Sequence, residues 1–223
     1  MKCKAKISSL YHGSAVDGEG LRSVVFFSGC NLRCPFCHNP ETFTESGEEV
    51  ELSALVKKIA RYKNYIKKGG VTLSGGEPFL QAEFCQALVD ELHTLSIKVI
   101  AETNGTILDK DLIAKLDGVR LDIKNFNGES AEELSQKYDT FIDFCDKFGT
   151  EVHLTNVLIP TINDSEKSAN ELKKWLSGRK IELLPFKKMC IEKYDRLGLP
   201  FPYIGVREGN KEDAHRFYSL LEK

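Results

Sequence analysis

The sequence predicts an α/β protein built on parallel strands, and three observations carry that expectation. Six short β-rich runs alternate with helical patterns at intervals that suit right-handed βαβ crossovers. No linker, low-complexity tract or composition shift divides the 223 residues, so one domain over 1–223 is expected. The residues that follow the runs are glycines and polar groups, as at the rim where parallel sheets hold their ligands.

The runs are SVVFFS (23–28), GVTLS (70–74), IKVIAE (97–102), VRLDIK (119–124), EVHLTNVLI (151–159) and KIELLPF (180–186), each short and β-rich. After the first, Leu52, Leu55, Val56, Ile59, Tyr62 and Ile66 keep one helical face. After the second, Leu80, Phe84, Ala87, Leu88, Leu92 and Leu95 do the same. Further helices fit 108–116, 129–148 with a break, 165–176 and 210–222, the last with Asn210 and Asp213 spaced as a capping box.

Composition narrows the function classes. The chain has 41% hydrophobic and 29% charged residues, and no apolar stretch nears the roughly 18 residues of a membrane span. No apolar h-region opens it, so no membrane partner is expected and the cytoplasm is the default location. Net charge is −2, and Lys67-Lys68 and Lys187-Lys188 are too short to form a basic stripe, which argues against nucleic acid. The seven cysteines are odd in number, and three crowd into SGCNLRCPFCHNPETF, so reduced metal binding is favoured over a disulfide framework.

Cys30, Cys34 and Cys37 sit in a loop over 29–43, after the first run. Three thiolates complete the set for a cuboidal [4Fe-4S] cluster whose fourth iron stays open. The alternative is a structural zinc site, which wants four ligands; His38 adjoins Cys37 and would have to fold back on the same metal. Cys3, Cys85, Cys145 and Cys190 are scattered and read as small core hydrophobes. GGVTLSGGEP adds an independent signal. Gly75 and Gly76 after a buried strand allow a tight turn, and exposed carbonyls with the Glu77 carboxylate can receive an ammonium group.

With these motifs the chain resembles the radical S-adenosylmethionine (SAM) superfamily and, within it, the glycyl-radical-enzyme activases. The resemblance runs through Val16-Asp17-Gly18, Gly20-Leu21-Arg22, the cysteine loop to Asn39, Ser74-Gly75-Gly76-Glu77, Leu80-Gln81-Ala82-Glu83-Phe84, Thr103-Asn104-Gly105, Leu121-Asp122-Ile123-Lys124 and Leu183-Leu184-Pro185. It implies a partial (β/α)6 barrel of the radical SAM type with parallel strands. It also implies a [4Fe-4S] cluster that reductively cleaves SAM, and a 5′-deoxyadenosyl radical that takes hydrogen from a backbone glycine of a partner. That partner would be a glycyl radical enzyme, with pyruvate formate-lyase the leading client and a flavodoxin or ferredoxin the electron donor.

The resemblance also implies roles. Cys30, Cys34 and Cys37 hold the cluster; Gly75, Gly76 and Glu77 receive the SAM ammonium; Lys124 faces its carboxylate; Asn39 touches the nucleoside; and Asp17 meets the incoming glycine loop. A monovalent cation is expected beside Thr103 and Asp122.

Three departures qualify it. Glu102 stands where aspartate precedes Thr-Asn-Gly, so it either serves as a longer cation ligand or displaces the ion by pairing with Lys187. Lys187 itself replaces a histidine that contacts the nucleoside. Residues 44–69 hold no cysteine, so no ferredoxin-like insert and only one cluster are expected. Rival readings are a radical SAM enzyme acting on a small molecule or on anaerobic ribonucleotide reductase, and a non-enzymatic iron–sulfur or zinc module.

Overall fold

The computed structural model describes residues 4–124 and 131–223; Cys3 and the expected start of the helix at 129 lie outside them. Strands β1 (Lys4–Ser14), β2 (Arg22–Phe27), β3 (Glu48–Glu51), β4 (Gly70–Gly75), β5 (Val99–Thr103), β6 (Gly118–Asp122), β7 (Val152–Leu158) and β8 (Ile181–Pro185) form one sheet. Its order is β3-β1-β2-β4-β5-β6-β7-β8. From β2 to β8 every pairing is parallel. Among the described residues β8 pairs with β7 alone, so the sheet does not close, as expected of a partial barrel.

β1 pairs antiparallel with both β2 and β3, an extension that the six-run reading lacks. Its sequence KAKISSLYHGS buries only Ala5, Ile7 and Ser14, and β3 buries only Val50, so neither carries a sustained apolar pattern.

Helices α1 (Leu52–Ala60), α2 (Ala82–Thr94), α3 (Lys110–Lys115), α4 (Ala131–Phe148), α5 (Glu166–Leu176), α6 (Ile191–Arg196) and α7 (Lys211–Leu221) complete the fold. α1 stops at Ala60 although its apolar face was expected to run to Ile66. The chain continues there in turns, with Ile66 still bonding back to Tyr62 O at 3.1 Å and buried. α7 carries the expected capping box: Asp213 N donates to Asn210 Oδ1 at 2.9 Å, and Asn210 N to Asp213 Oδ2 at 3.0 Å. Among the described residues no helix is long and apolar enough to cross a membrane.

Strand alternation sorts the two faces of the sheet. Val71, Leu73, Val99, Ala101, Val119 and Leu121 pack outward with Phe84, Leu88 and Phe141 of the helices. Thr72, Ser74, Glu102, Arg120 and Asp122 take the opposite, inner face, which is therefore polar. A second apolar cluster joins Phe36 of the cysteine loop to Ile159, Phe186, Cys190, Tyr194 and Phe201, fastening the C-terminal segment beside that loop.

Candidate active site

The cysteine loop leaves the C-terminal end of β2 and is pinned at its base, where Ser28 N donates to Lys6 O and Gly29 N to Thr42 O, each at 2.9 Å. Cys37 N donates to Cys34 O at 3.1 Å, while Leu32 N reaches Cys30 Sγ and Asn39 N reaches Cys37 Sγ, both at 3.4 Å. These three sulfurs are half-buried, unlike the buried Cys85, Cys145 and Cys190, whose places in the packing suit small core hydrophobes. Burial raises the thiol pKa of Cys30 and Cys34 and pushes that of Cys37 up to about 12. Burial thus disfavours the free thiolates, and a bound metal cation would favour them.

The donor set fits a cluster in which each thiolate takes its own iron. Among the described residues no three His, Cys, Asp or Glu side chains stand where a single metal ion would hold them together. His38 donates from Nε2 to Lys187 O at 2.8 Å and is committed there.

The glycines of the Gly-Gly-Glu turn are fixed by close approach. Gly75 has φ +102°, and a Cβ on it would stand 2.5 Å from Phe27 N. A Cβ on Gly76 would meet Gly29 O at 2.0 Å. The turn thereby lies directly on the base of the cysteine loop, with Gly76 N donating to Phe27 O at 2.9 Å and Glu77 N to Gly29 O at 2.8 Å.

Glu77 itself is fully buried and turned into the protein. Its carboxylate accepts from Phe79 N at 3.1 Å, Thr103 Oγ1 at 2.8 Å and Asn104 N at 2.8 Å. Burial raises its pKa to about 7 against the pull of those donors.

At the end of β6, Asp122 Oδ2 accepts from Lys124 Nζ, and Asp122 Oδ1 is buried without a partner among the described residues. The Lys124 side chain is 13% exposed, and its ammonium lies 5.3 Å from the Phe36 ring of the cysteine loop. Burial pulls the Lys124 pKa down, yet the Asp122 carboxylate and the Cys34 sulfur outweigh it and keep the amine charged.

Asn39 and Asp17 share a cavity of about 550 Å³, lined also by Tyr11, Phe26, Glu41 and Lys193. Asn39 Oδ1 accepts from Lys193 Nζ at 2.9 Å, and the same ammonium pairs with Glu41 at 2.6 Å. Asp17 lies in the loop between β1 and β2. Its carboxylate accepts from Ser14 Oγ, and its carbonyl accepts from Thr72 Oγ1 at 2.7 Å.

Glu102 and Lys187 do not meet. Lys187 Nζ donates to Gly209 O at 2.9 Å and stands 3.5 Å from Glu208, whereas Glu102 pairs with Arg120 at 2.9 Å. The Glu102–Lys187 pairing, one of the two alternatives for Glu102, is thus replaced by two separate pairs, because Lys187 follows β8 and leans toward the chain before α7.

Three site-forming residues are given no role by the sequence. Asn104 and Asn31 bind each other at 3.0 Å, and Arg120 braces Glu102. Asn104 was legible inside Thr103-Asn104-Gly105. Arg120 lies two residues before Asp122, the spacing that puts both on one face of a strand.

Residues 16–173 match the family described as a 4Fe-4S single cluster domain. The chain is 33% identical over 231 residues to a pyruvate formate-lyase-activating enzyme of Clostridium pasteurianum, covering 98% of this chain and 97% of that one. It is 31% identical over 239 residues to the pyruvate formate-lyase 1-activating enzyme of Escherichia coli strain K12, covering 100% and 97%. A crystal structure of a radical SAM methyltransferase from Sphaerobacter thermophilus shares the fold, with a TM-score of 0.61 and 22% identity over 90% of this chain and 63% of that one.

An open sheet of this kind, with three cysteines in the loop after its first parallel strand, is the radical SAM fold. The chain belongs to that superfamily and, within it, to the glycyl-radical-enzyme activases. Its cofactors are a [4Fe-4S] cluster and SAM.

Proposed function

We propose that this activase installs its radical on pyruvate formate-lyase, taking electrons from a flavodoxin or ferredoxin. The observation that carries the reading is convergence at one rim. The cysteine loop, the Gly-Gly-Glu turn that lies on it and the Asp122–Lys124 pair beside Phe36 come from three separate strand ends and meet at one place.

Cys30, Cys34 and Cys37 would hold the cluster. Bound there, the cluster and SAM supply a one-electron cleavage of the sulfonium that ends in loss of a hydrogen atom from the partner's glycine. Because the Glu77 carboxylate is turned inward, the SAM ammonium would be received by the carbonyls of the Gly75-Gly76-Glu77 turn, with Glu77 fixing the turn through Thr103 and Asn104. Lys124, held by Asp122, would face the SAM carboxylate. Asn39, braced by Lys193, would line the nucleoside side, and Lys187, whose carbonyl accepts from His38 of the cysteine loop, would lie beside it. Asp17, which lines the same cavity, would meet the glycine-bearing loop.

The test is anaerobic reconstitution of the chain, followed by incubation with pyruvate formate-lyase, SAM and a reductant. A glycyl radical signal in electron paramagnetic resonance, lost in Cys34→Ser, supports the reading. SAM cleavage without that signal shows a different client; no SAM cleavage at all refutes the site.

A further inference from the structure

The resemblance places a monovalent cation at Glu102, Thr103 and Asp122, but these residues do not fit one. Both oxygens of Glu102 are engaged: Oε1 accepts from Arg120 Nε at 2.9 Å and Oε2 from Ser74 Oγ at 2.7 Å. Thr103 is on the opposite face of β5, where its hydroxyl donates to Glu77 and accepts from Gly105 N at 3.1 Å. Asp122 gives one oxygen to Lys124, leaving a single oxygen without a partner among the described residues. One carboxylate oxygen is a poor cage for a hard cation, which takes several oxygen ligands.

We propose that the Arg120 guanidinium is the resident cation of the barrel interior, and that SAM binding and cleavage by this chain are therefore indifferent to the monovalent metal ion present. The proposal rests on the site proposed above.

Glu102 and Arg120 are lateral neighbours in the parallel register of β5 and β6. The extra methylene of glutamate over aspartate carries the carboxylate across to both Arg120 and Ser74. Arg120 Nη2 also reaches Glu182 Oε2 of β8 at 2.9 Å, so the guanidinium bridges two carboxylates on the inner face. The Arg120 side chain is only 12% exposed. Guanidinium stays charged at all working pH and directs fixed donors at carboxylates, so it neutralises Glu102 permanently and repels a second cation placed beside it.

Native holoenzyme is assayed in sodium, potassium and tetramethylammonium buffers of equal ionic strength. The SAM Kd and cleavage rate should agree within about twofold across the three, and the native protein should not broaden the ²³Na resonance through the Asp122 site. Arg120→Met should become cation-responsive by about fivefold or more and should broaden the ²³Na line. A fivefold response of the native enzyme, or native ²³Na broadening abolished by Asp122→Asn, overturns the proposal; so does a folded Arg120→Met that stays indifferent. If Arg120→Met does not fold, the native ²³Na measurement decides. That measurement needs no activity, so it also separates this inference from a failure of SAM cleavage in every buffer.

Discussion

Asn104 Nδ2 donates to Asn31 Oδ1 at 3.0 Å, and Thr106 closes the ring. Asn31 Nδ2 donates to Thr106 Oγ1 at 2.7 Å, and Thr106 Oγ1 donates to Asn104 Oδ1 at 2.6 Å. The ring joins the loop after β5 to the cysteine loop, and Asn104 is nearly buried within it. Asn104→Ala removes one donor and one acceptor, a loss of about 1–2 kcal/mol. The melting temperature should fall by about 2–6 °C. Because the lost bonds anchor the chain next to Cys30, iron release to a chelator should quicken more than the melting shift alone would bring. Unchanged release would mean that the cluster alone holds the loop.

Gly76→Ala should be among the most damaging single changes. Its Cβ would stand 2.0 Å from Gly29 O, a backbone atom that cannot swing aside, so the end of β4 must leave the base of the cysteine loop. A loss above about 3 kcal/mol and little bound iron are expected. Gly149→Ala is the comparison. It has φ +69° with nothing within 4 Å of the added carbon, and should cost only about 1–2 kcal/mol of backbone strain. Iron content and thermal unfolding of both variants check the contrast; similar losses would mean that close approach is not what Gly76 provides.

The contrast between these glycines shows what could be seen in the sequence. The six parallel strands were legible because each is a compact β-rich run, and the cysteine loop and Gly-Gly-Glu turn because their residues are contiguous. β1 and β3 were not, since strands with few buried side chains lack a sustained pattern. α6 was missed for the same reason: of IEKYDR only Tyr194 is buried. The partner of Glu102 was hidden differently. Arg120 becomes its neighbour only through the register of β5 on β6, and Lys193 reaches Asn39 only because α6 packs by the cysteine loop.

Acid should unfold the chain partly through Asp213. Arg207 bonds both of its oxygens, at 2.7 and 2.6 Å, and with the Asn210 N–H holds its pKa near about 2, against an ordinary 3.8. A depressed carboxylate pKa gives stability that is complete above the unfolded value and is lost as pH falls from about 4 to 2. Arg207 is half exposed, so screening limits the contribution to about 1–2 kcal/mol. Asp213→Asn should be less stable at pH 7 by that amount, with the gap closing toward pH 2. Urea titrations at pH 7, 4 and 2.5 measure it; a constant gap would assign the effect to the helix cap rather than to charge.

Asp17 should separate the two halves of the reaction. On the proposed function, the glycine of the partner would have to reach a radical formed inside the barrel, and its loop would then enter the cavity that Asp17 and Asn39 share. The backbone of Asp17 is anchored independently of its carboxylate, through its carbonyl to Thr72 Oγ1 at 2.7 Å, and neighbouring Val16 is 78% exposed. Asp17→Ala therefore leaves the loop tethered while deleting a negative acceptor that lines the cavity. Glycyl radical formation on pyruvate formate-lyase should fall by about tenfold or more, the scale of a charged hydrogen bond, while uncoupled SAM cleavage stays within about twofold. Asp17→Asn keeps the shape and one acceptor and should lie between them. Equal losses of radical formation and SAM cleavage in Asp17→Ala, at an unchanged melting temperature, would place Asp17 in the SAM site instead. Equal losses with a lowered melting temperature would make it a structural residue of the β1–β2 loop.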